Sequence, residues 1–195
     1  MEEELRKRIE ELAHEQIDIV PYDGRWPAMF DVEARFLSSV LPLDLVSRIE
    51  HIGSTAVPGL SAKPIIDVQV EVSSLDRTRE EIAPILSKLG YEYIWRPTIG
   101  EHAPNYAWFI KRNKQGDRTH HLHVVEPDQA SVDRILFRDY LRRFPEAARA
   151  YELLKRHLAL RYHHDRVAYA RNKTDHIASV VQLARELAAT SASIR

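Results

Sequence analysis

Gly53, Ser54, Asp67, Gln69, Glu71, His121 and His123 are residues whose types and spacing could do chemistry. Asp67, Gln69 and Glu71 alternate along a run rich in β-branched residues, and the period of two of a strand puts them on one face. Gly53 and Ser54 precede that run in a loop of small residues. Backbone N–H groups there could approach a phosphate, and strand carboxylates could hold the Mg²⁺ that accompanies it. His121 and His123 alternate with Leu122 and Val124 in a second strand-like run, so the two imidazoles share a face. If the two strands are neighbours, Asp67, His121 and His123 form a two-His, one-carboxylate set, which suits Zn²⁺, Mn²⁺ or Fe²⁺ better than Mg²⁺. The histidines could instead bind phosphate or act as general acids and bases at neutral pH. They could also be hydrogen-bonded groups on a polar strand face.

Three cations stand near these runs. Lys63 comes just before the Asp67 strand and could reach a phosphate or be a surface lysine. Arg118 precedes the histidine strand and Arg138 opens the helix FRDYLR; each could fork onto phosphate, or Arg138 could pair locally with Asp139. His51 borders Gly53 and Ser54, or is a buried hydrogen-bonded histidine. Tyr169 and Lys173, four apart, read as a core-edge tyrosine beside a solvated lysine. Gly53 and Gly59 have five residues between them and no Gly-Lys-Ser/Thr end, so this is no P-loop; G-x-G-x-x-G and G-x-S-x-G are absent too.

The stretch HIGSTAVPGLSAKPIIDV, residues 51–68, resembles the signature of the GrpB family, a branch of the nucleotidyltransferase superfamily fold. HHLHVVEP at 120–127, FRDYLRRFPEAARAYELLKRHLA at 137–159 and YARNKTDHI at 169–177 agree, so the resemblance covers roughly residues 17–182. It implies an α+β fold, a nucleotidyltransferase-like mixed β-sheet packed with helices and a helical C-terminal part. It also implies a Gly-Ser loop, a D-x-D pair and a third acid around a nucleoside triphosphate and two metals. Gly53, Ser54 and Asp67 match, but Gln69 stands at the second acid, and a neutral amide cannot supply the charge a second Mg²⁺ demands. Glu71 lies about 6.6–7 Å further along the strand. His121 and His123 stand where the third carboxylate would be.

The implied function is binding of a nucleotide or other phosphorylated small molecule, with metal-assisted nucleotidyl or phosphoryl transfer. Asp67, His121 and His123 are the catalytic candidates and Asp67 and His123 the metal ligands, for Mg, Mn or Zn. Gly53, Ser54, Lys63, Arg118 and Arg138 are the phosphate-binding candidates. Two rivals remain. One is a non-catalytic accessory module, since such domains also occur joined to a dephospho-CoA kinase domain; the other is a metal-dependent hydrolase using Asp67, His121 and His123.

These residues must be positioned by strands and helices that the sequence outlines. Residues 2–16 read as an amphipathic helix carrying Leu5, Ile9, Leu12 and Gln16, able to cover the core or to pair with a second copy. Residues 17–24 read as a short strand and turn, and Trp26–Leu41 as a helix with Pro27 in its first turn. Arg48–Ile52 and Pro64–Val72 read as strands around the Gly/Ser/Pro loop. A helix capped by Asp76 runs to about Leu89, stopped by Gly90. Residues 91–96, 106–111 and 119–125 read as strands, with a loop at 97–105 over or near the site. Helices are expected at 129–143, 145–162 and 165–189, followed by a frayed tail. The expected organisation is an N-terminal helical extension, 1–16, and a single domain, 17–189, with four to six strands.

Composition narrows the classes. The chain has 195 residues, 44% hydrophobic and 29% charged, as in globular domains, and no cysteine, which excludes disulfides and Cys-based zinc sites. No apolar run approaches 18 residues and the N-terminus MEEELRKRIEE is charged, so neither a membrane span nor a secretory signal is expected, and a cytoplasmic location is. Charge is uneven: residues 1–129 carry 15 Lys/Arg against 22 Asp/Glu, a net −7, and residues 130–195 carry 13 against 7, a net +6. That basic part could face an anionic ligand or be solvated helix surface. No DNA-reading motif is present, so dedicated DNA binding is not expected.

Overall fold

A computed structural model describes residues 2–96 and 106–193. The fold is α+β, as expected, with one five-stranded mixed sheet. In chain order the helices are α1 (Glu2–His14), α2 (Trp26–Val40), α3 (Leu75–Arg77), α4 (Ala83–Lys88), α5 (Gln129–Arg143), α6 (Pro145–Arg161), α7 (Arg166–Arg171) and α8 (Thr174–Ser193). The strands are β1 (Val46–Ile52), β2 (Ile66–Val72), β3 (Glu92–Trp95), β4 (Ala107–Arg112) and β5 (Arg118–Val125), in the order β1-β2-β5-β4-β3. Only β2 and β5 run parallel; the other pairs are antiparallel.

Two compact units divide these elements. The first comprises residues 23–56 and 65–135 and contains the whole sheet. Val68, Val70, Val72, Phe109, Leu122 and Val124 alternate onto one sheet face and are fully buried. Burial of that apolar surface stabilises this unit. Helix α2 packs against β1 and β2, with Trp26 and Leu37 buried. Its Glu33 is buried too, which is tolerable because the carboxylate accepts hydrogen bonds from the Tyr91 hydroxyl and the Lys111 ammonium.

The other unit comprises residues 1–22, 57–64 and 136–195. Val57 and Leu60 are buried with Phe137, Leu141, Tyr151, Val180 and Val181. Ile17 joins Leu158, Ala159 and Tyr169 in a second cluster. Helix α1 packs in cis on α7, with Leu12 buried. The segment after α1 is tied down by the Arg166 guanidinium, which donates to the carbonyls of Glu15 (3.0 Å) and Gln16 (2.9 Å).

Four local expectations need correction. Residues 17–24 form no strand; Val20 makes one isolated antiparallel bridge with Ala62. Ser74, not Asp76, is the N-cap: its backbone is extended and its hydroxyl accepts from the Arg77 N–H at 3.2 Å. The helix it starts widens into a π turn at Thr78–Ile82 before α4. The last helix is broken into α7 and α8 at Asn172–Lys173: the Asn172 N–H still donates to the Ala168 carbonyl (3.0 Å), but the Lys173 N–H turns to Ala170, three residues back (3.2 Å). The loop expected at 97–105 lies outside the described residues. Among those described, no helix is long and apolar enough to cross a membrane.

Candidate functional site

The parallel pairing of β2 with β5 sets Asp67 opposite His121 and Gln69 opposite His123. All four side chains therefore stand on one face of two central strands, and the condition for a two-His, one-carboxylate set is met. Asp67 Oδ1 lies 3.2 Å from His121 Nδ1 and 3.6 Å from His123 Nε2. One donor atom from each of the three residues lies within 4.8 Å of the other two.

Burial on its own would raise the Asp67 pKa, but the hydrogen bonds from His121 and His123 outweigh it and hold the carboxyl well below the usual range. Burial lowers the His123 pKa, so that ring is neutral at pH 7. Its Nδ1 is buried without a hydrogen-bond partner, so its polar chemistry is directed through Nε2 toward Asp67. At His121, Nε2 faces the Arg118 guanidinium at 3.5 Å. A guanidinium can only donate, so this nitrogen accepts and the ring proton sits on Nδ1, facing Asp67.

The donor set fits a cation. Tetrahedral Zn²⁺ with bonds of its usual length needs donors about 3.3–3.5 Å apart, close to the two distances at Asp67 Oδ1. A neutral His123 needs no net loss of a proton to ligate, only the shift of its ring proton from Nε2 to Nδ1. Asp67 with two imidazoles is a transition-metal set rather than a Mg²⁺ set.

Gln69 is fully buried and its amide is engaged on every side. Nε2 donates to Glu71 Oε1 (3.0 Å) and to the Ser131 carbonyl of α5 (3.2 Å), and Oε1 accepts from Arg134 (3.2 Å). The position that would hold the second acid of a D-x-D pair is thus a structural tie between β2 and α5.

Gly53 is held at the site by contact with Asp67. Its φ is +72°, in the left-handed region that suits glycine. A Cβ there would meet Asp67 Oδ2 at 2.5 Å. Ser54 opens the short 3₁₀ turn Ser54–Ala56. His51 proves to be a buried, hydrogen-bonded histidine, with Nε2 3.0 Å from Thr55 Oγ1 and its ring stacked on Phe30.

The structure brings Gly53, Asp67, Arg118, His121 and His123 together in the sheet-bearing unit. Lys63 and Arg138 belong to the other unit. There the Lys63 ammonium lies 5.4 Å from the centre of the Tyr169 ring. Arg138 is buried and forks onto its neighbour Asp139 at 2.8 and 3.1 Å. Tyr169 is buried, and Lys173 lies over its ring at 4.3 Å.

Four residues of the site were missed in the sequence. The Tyr106 ring lies 5.3 Å from that of His123, and the Trp108 ring 5.1 Å from that of His121. Arg96 and Arg118 lie over Trp108, and Arg96 and Arg134 over Tyr106. Trp108 was within reach of sequence reasoning, because it alternates with Phe109 in an expected strand. Arg134 gave no signal, since a helical arginine is ordinarily a solvated one.

A family model described as GrpB protein matches residues 16–183. A UPF0157 protein of Pseudomonas aeruginosa is 42% identical over 177 residues, 90% of this chain and 70% of that protein. The crystal structure of a conserved protein GrpB from Enterococcus faecalis superposes with a TM-score of 0.73 at 30% identity, covering 86% of this chain and 96% of the other. A dephospho-CoA kinase of Mycolicibacterium paratuberculosis is 28% identical over 82% of this chain but only 44% of its own length.

Proposed function

The chain belongs to the GrpB family, and from that premise we propose that it binds one divalent transition metal together with a nucleotide or other phosphorylated small molecule, for metal-assisted phosphoryl or nucleotidyl transfer. The observation that carries the reading is the clustering of Asp67, His121 and His123, with one donor atom of each within 4.8 Å of the others. A cation held there supplies Lewis-acid polarisation of a phosphoryl oxygen. Asp67 contributes the charge that holds the cation, and neutral His123 contributes a lone pair. Arg118, beside His121, contributes a fork of N–H donors matched to a phosphoryl group. The engaged amide of Gln69 leaves no place for a second cation of the D-x-D kind, which favours single-metal chemistry.

The match to part of a dephospho-CoA kinase supports a second reading, in which this fold binds a phosphorylated ligand without turning it over. Both readings are tested by a thermal-shift screen of nucleotides and of Zn²⁺, Mn²⁺ and Mg²⁺, singly and combined, followed by product analysis of every combination that shifts. A ligand that binds only the native state raises the melting temperature by mass action. A metal shift lost in Asp67→Asn, with product formed from a nucleotide, supports transfer. The same shift with no product supports the accessory reading. No metal shift in the unaltered protein would sink the metal site.

A further inference from the structure

Beside the metal-ligating candidates runs a chain of cations and rings: Arg118, Trp108, Arg96, Tyr106, Arg134. Consecutive members are 5.7, 5.5, 5.5 and 5.5 Å apart, from guanidinium carbon to ring centre. Tyr106 and Trp108 are fixed in turn by His123 and His121, at 5.3 and 5.1 Å between ring centres. Burial raises the Tyr106 pKa, so its hydroxyl stays neutral. Trp108 Nε1 and Arg96 Nε are both buried without a partner. Arg134 makes one neutral hydrogen bond, to Gln69. Among the described residues no carboxylate forms an ion pair with Arg96 or Arg134.

Aromatic rings near the guanidinium faces hold the cations in place and shed water from them, while N–H edges of Arg96 and Arg134 stay available for oxyanions. Among the described residues two carboxylates oppose an anion here, Asp67 at the metal site and Glu71, which accepts from Gln69. Three guanidiniums outnumber them, and a metal on Asp67 would widen the excess. We infer that Arg96, Arg118 and Arg134, set by Tyr106 and Trp108, form a binding site for a multiply charged oxyanion: a chain of two or three phosphoryl groups in preference to a single phosphate. A run of several phosphoryl groups supplies enough oxygens and charge to engage three guanidiniums spread over two rings. The inference rests on the preceding reading for a phosphorylated ligand, but it does not require the metal.

The test uses the full chain, freed of metal by EDTA, titrated by calorimetry at low ionic strength with orthophosphate, pyrophosphate and tripolyphosphate. Charge-assisted forks of this kind favour the longer anions, so tripolyphosphate is expected to bind about tenfold more tightly than orthophosphate. Arg96→Gln and Arg134→Gln should each weaken tripolyphosphate about tenfold. Arg134→Lys keeps the charge but loses the fork, and should weaken it several-fold. Arg149→Gln, at an exposed arginine paired with Glu146, should change nothing. Citrate separates a phosphate-chain site from one for any polyanion, and it should bind no better than orthophosphate. Equal affinity for all three phosphates would overturn the inference, as would tripolyphosphate binding in Arg134→Lys or both glutamine variants that equals the unaltered protein. Citrate binding as tight as tripolyphosphate would overturn it as well. Because metal is absent throughout, failure here leaves the metal reading standing, and failure of the metal screen leaves this site standing.

Discussion

Gly53 and Asp67 are locked together: a Cβ on Gly53 would lie 2.5 Å from Asp67 Oδ2 and 3.0 Å from Asp67 Cβ. No flexible end is free to yield, because the Asp67 carboxylate is also held by two histidines. Gly53 therefore determines where the Asp67 carboxylate sits, besides any contact it makes with a phosphate. Gly53→Ala combines a left-handed backbone strain of about 1–3 kcal/mol with displacement of the carboxylate. Urea denaturation should show that loss, and the metal-induced thermal shift should fall with it. Unchanged stability and an intact metal shift would refute the coupling.

Replacing Asp67 by Asn keeps the shape and removes the charge. His121 Nδ1–H retains an acceptor in the amide oxygen, so the fold should survive, at a cost of about 1–2 kcal/mol for weakening a charge-assisted hydrogen bond. Metal binding should be lost, since two neutral imidazoles alone hold a dication poorly. Metal analysis of the purified variant, alongside its denaturation midpoint, reads both effects. Full metal occupancy in the variant would place the cation elsewhere.

Arg118 points a donor at His121 Nε2 at 3.5 Å, whereas a ligating histidine ordinarily donates its second N–H to an acceptor. A cation taken by His121 Nδ1 would leave the Nε2–H facing a guanidinium. Arg118→Gln supplies a carbonyl oxygen instead, and metal affinity should rise, by about tenfold on the scale of such outer partners. Competition with a chelator of known affinity measures it. A weaker metal in this variant would mean that His121 does not ligate through Nδ1.

Burial lowers the pKa of His120, His123 and His176 below that of a free histidine. As pH falls through about 6.5, the unfolded chain takes up protons that the folded chain refuses, so stability is present above that pH and declines below it. Asp67 adds to the loss only at much lower pH, because its folded-state pKa is depressed and its contribution disappears as the carboxyl protonates. The denaturation midpoint should therefore fall between pH 7 and pH 5 and continue falling in acid. A flat profile over that range would contradict the burial of these histidines.

Much of this site was legible because it obeys a period of two. Alternation alone puts Asp67, Gln69 and Glu71 on one face of their strand and His121 with His123 on one face of theirs, and the family resemblance implies that these strands are neighbours. The parallel register that sets Asp67 opposite His121 came only with the structure. What alternation cannot show is the partner brought in by a helix: Arg134 and the Ser131 carbonyl reach Gln69 across 65 and 62 residues of chain. The same holds for Glu33 of α2, which is buried against Tyr91 and Lys111, 58 and 78 residues further along the chain. The break at Asn172–Lys173 was hidden for another reason, since a single tightened turn, with the Lys173 N–H on the Ala170 carbonyl, leaves no mark on the hydrophobic period.

Gln69 is where the resemblance and the structure pull apart, and one substitution separates them. If the position were a lapsed metal ligand, restoring an acid would restore a second cation. In the structure the amide is instead a cross-link, donating to Glu71 and to the Ser131 carbonyl while accepting from Arg134. Gln69→Glu has nearly the same shape but removes both donated hydrogen bonds and sets a second carboxylate against Glu71, and Arg134 relieves only part of that repulsion. A buried acceptor left without its donor costs about 1–3 kcal/mol. The variant should therefore be destabilised by about that amount in urea and still bind no more than one cation per chain. Two cations per chain, with stability kept or raised, would return Gln69 to the metal site.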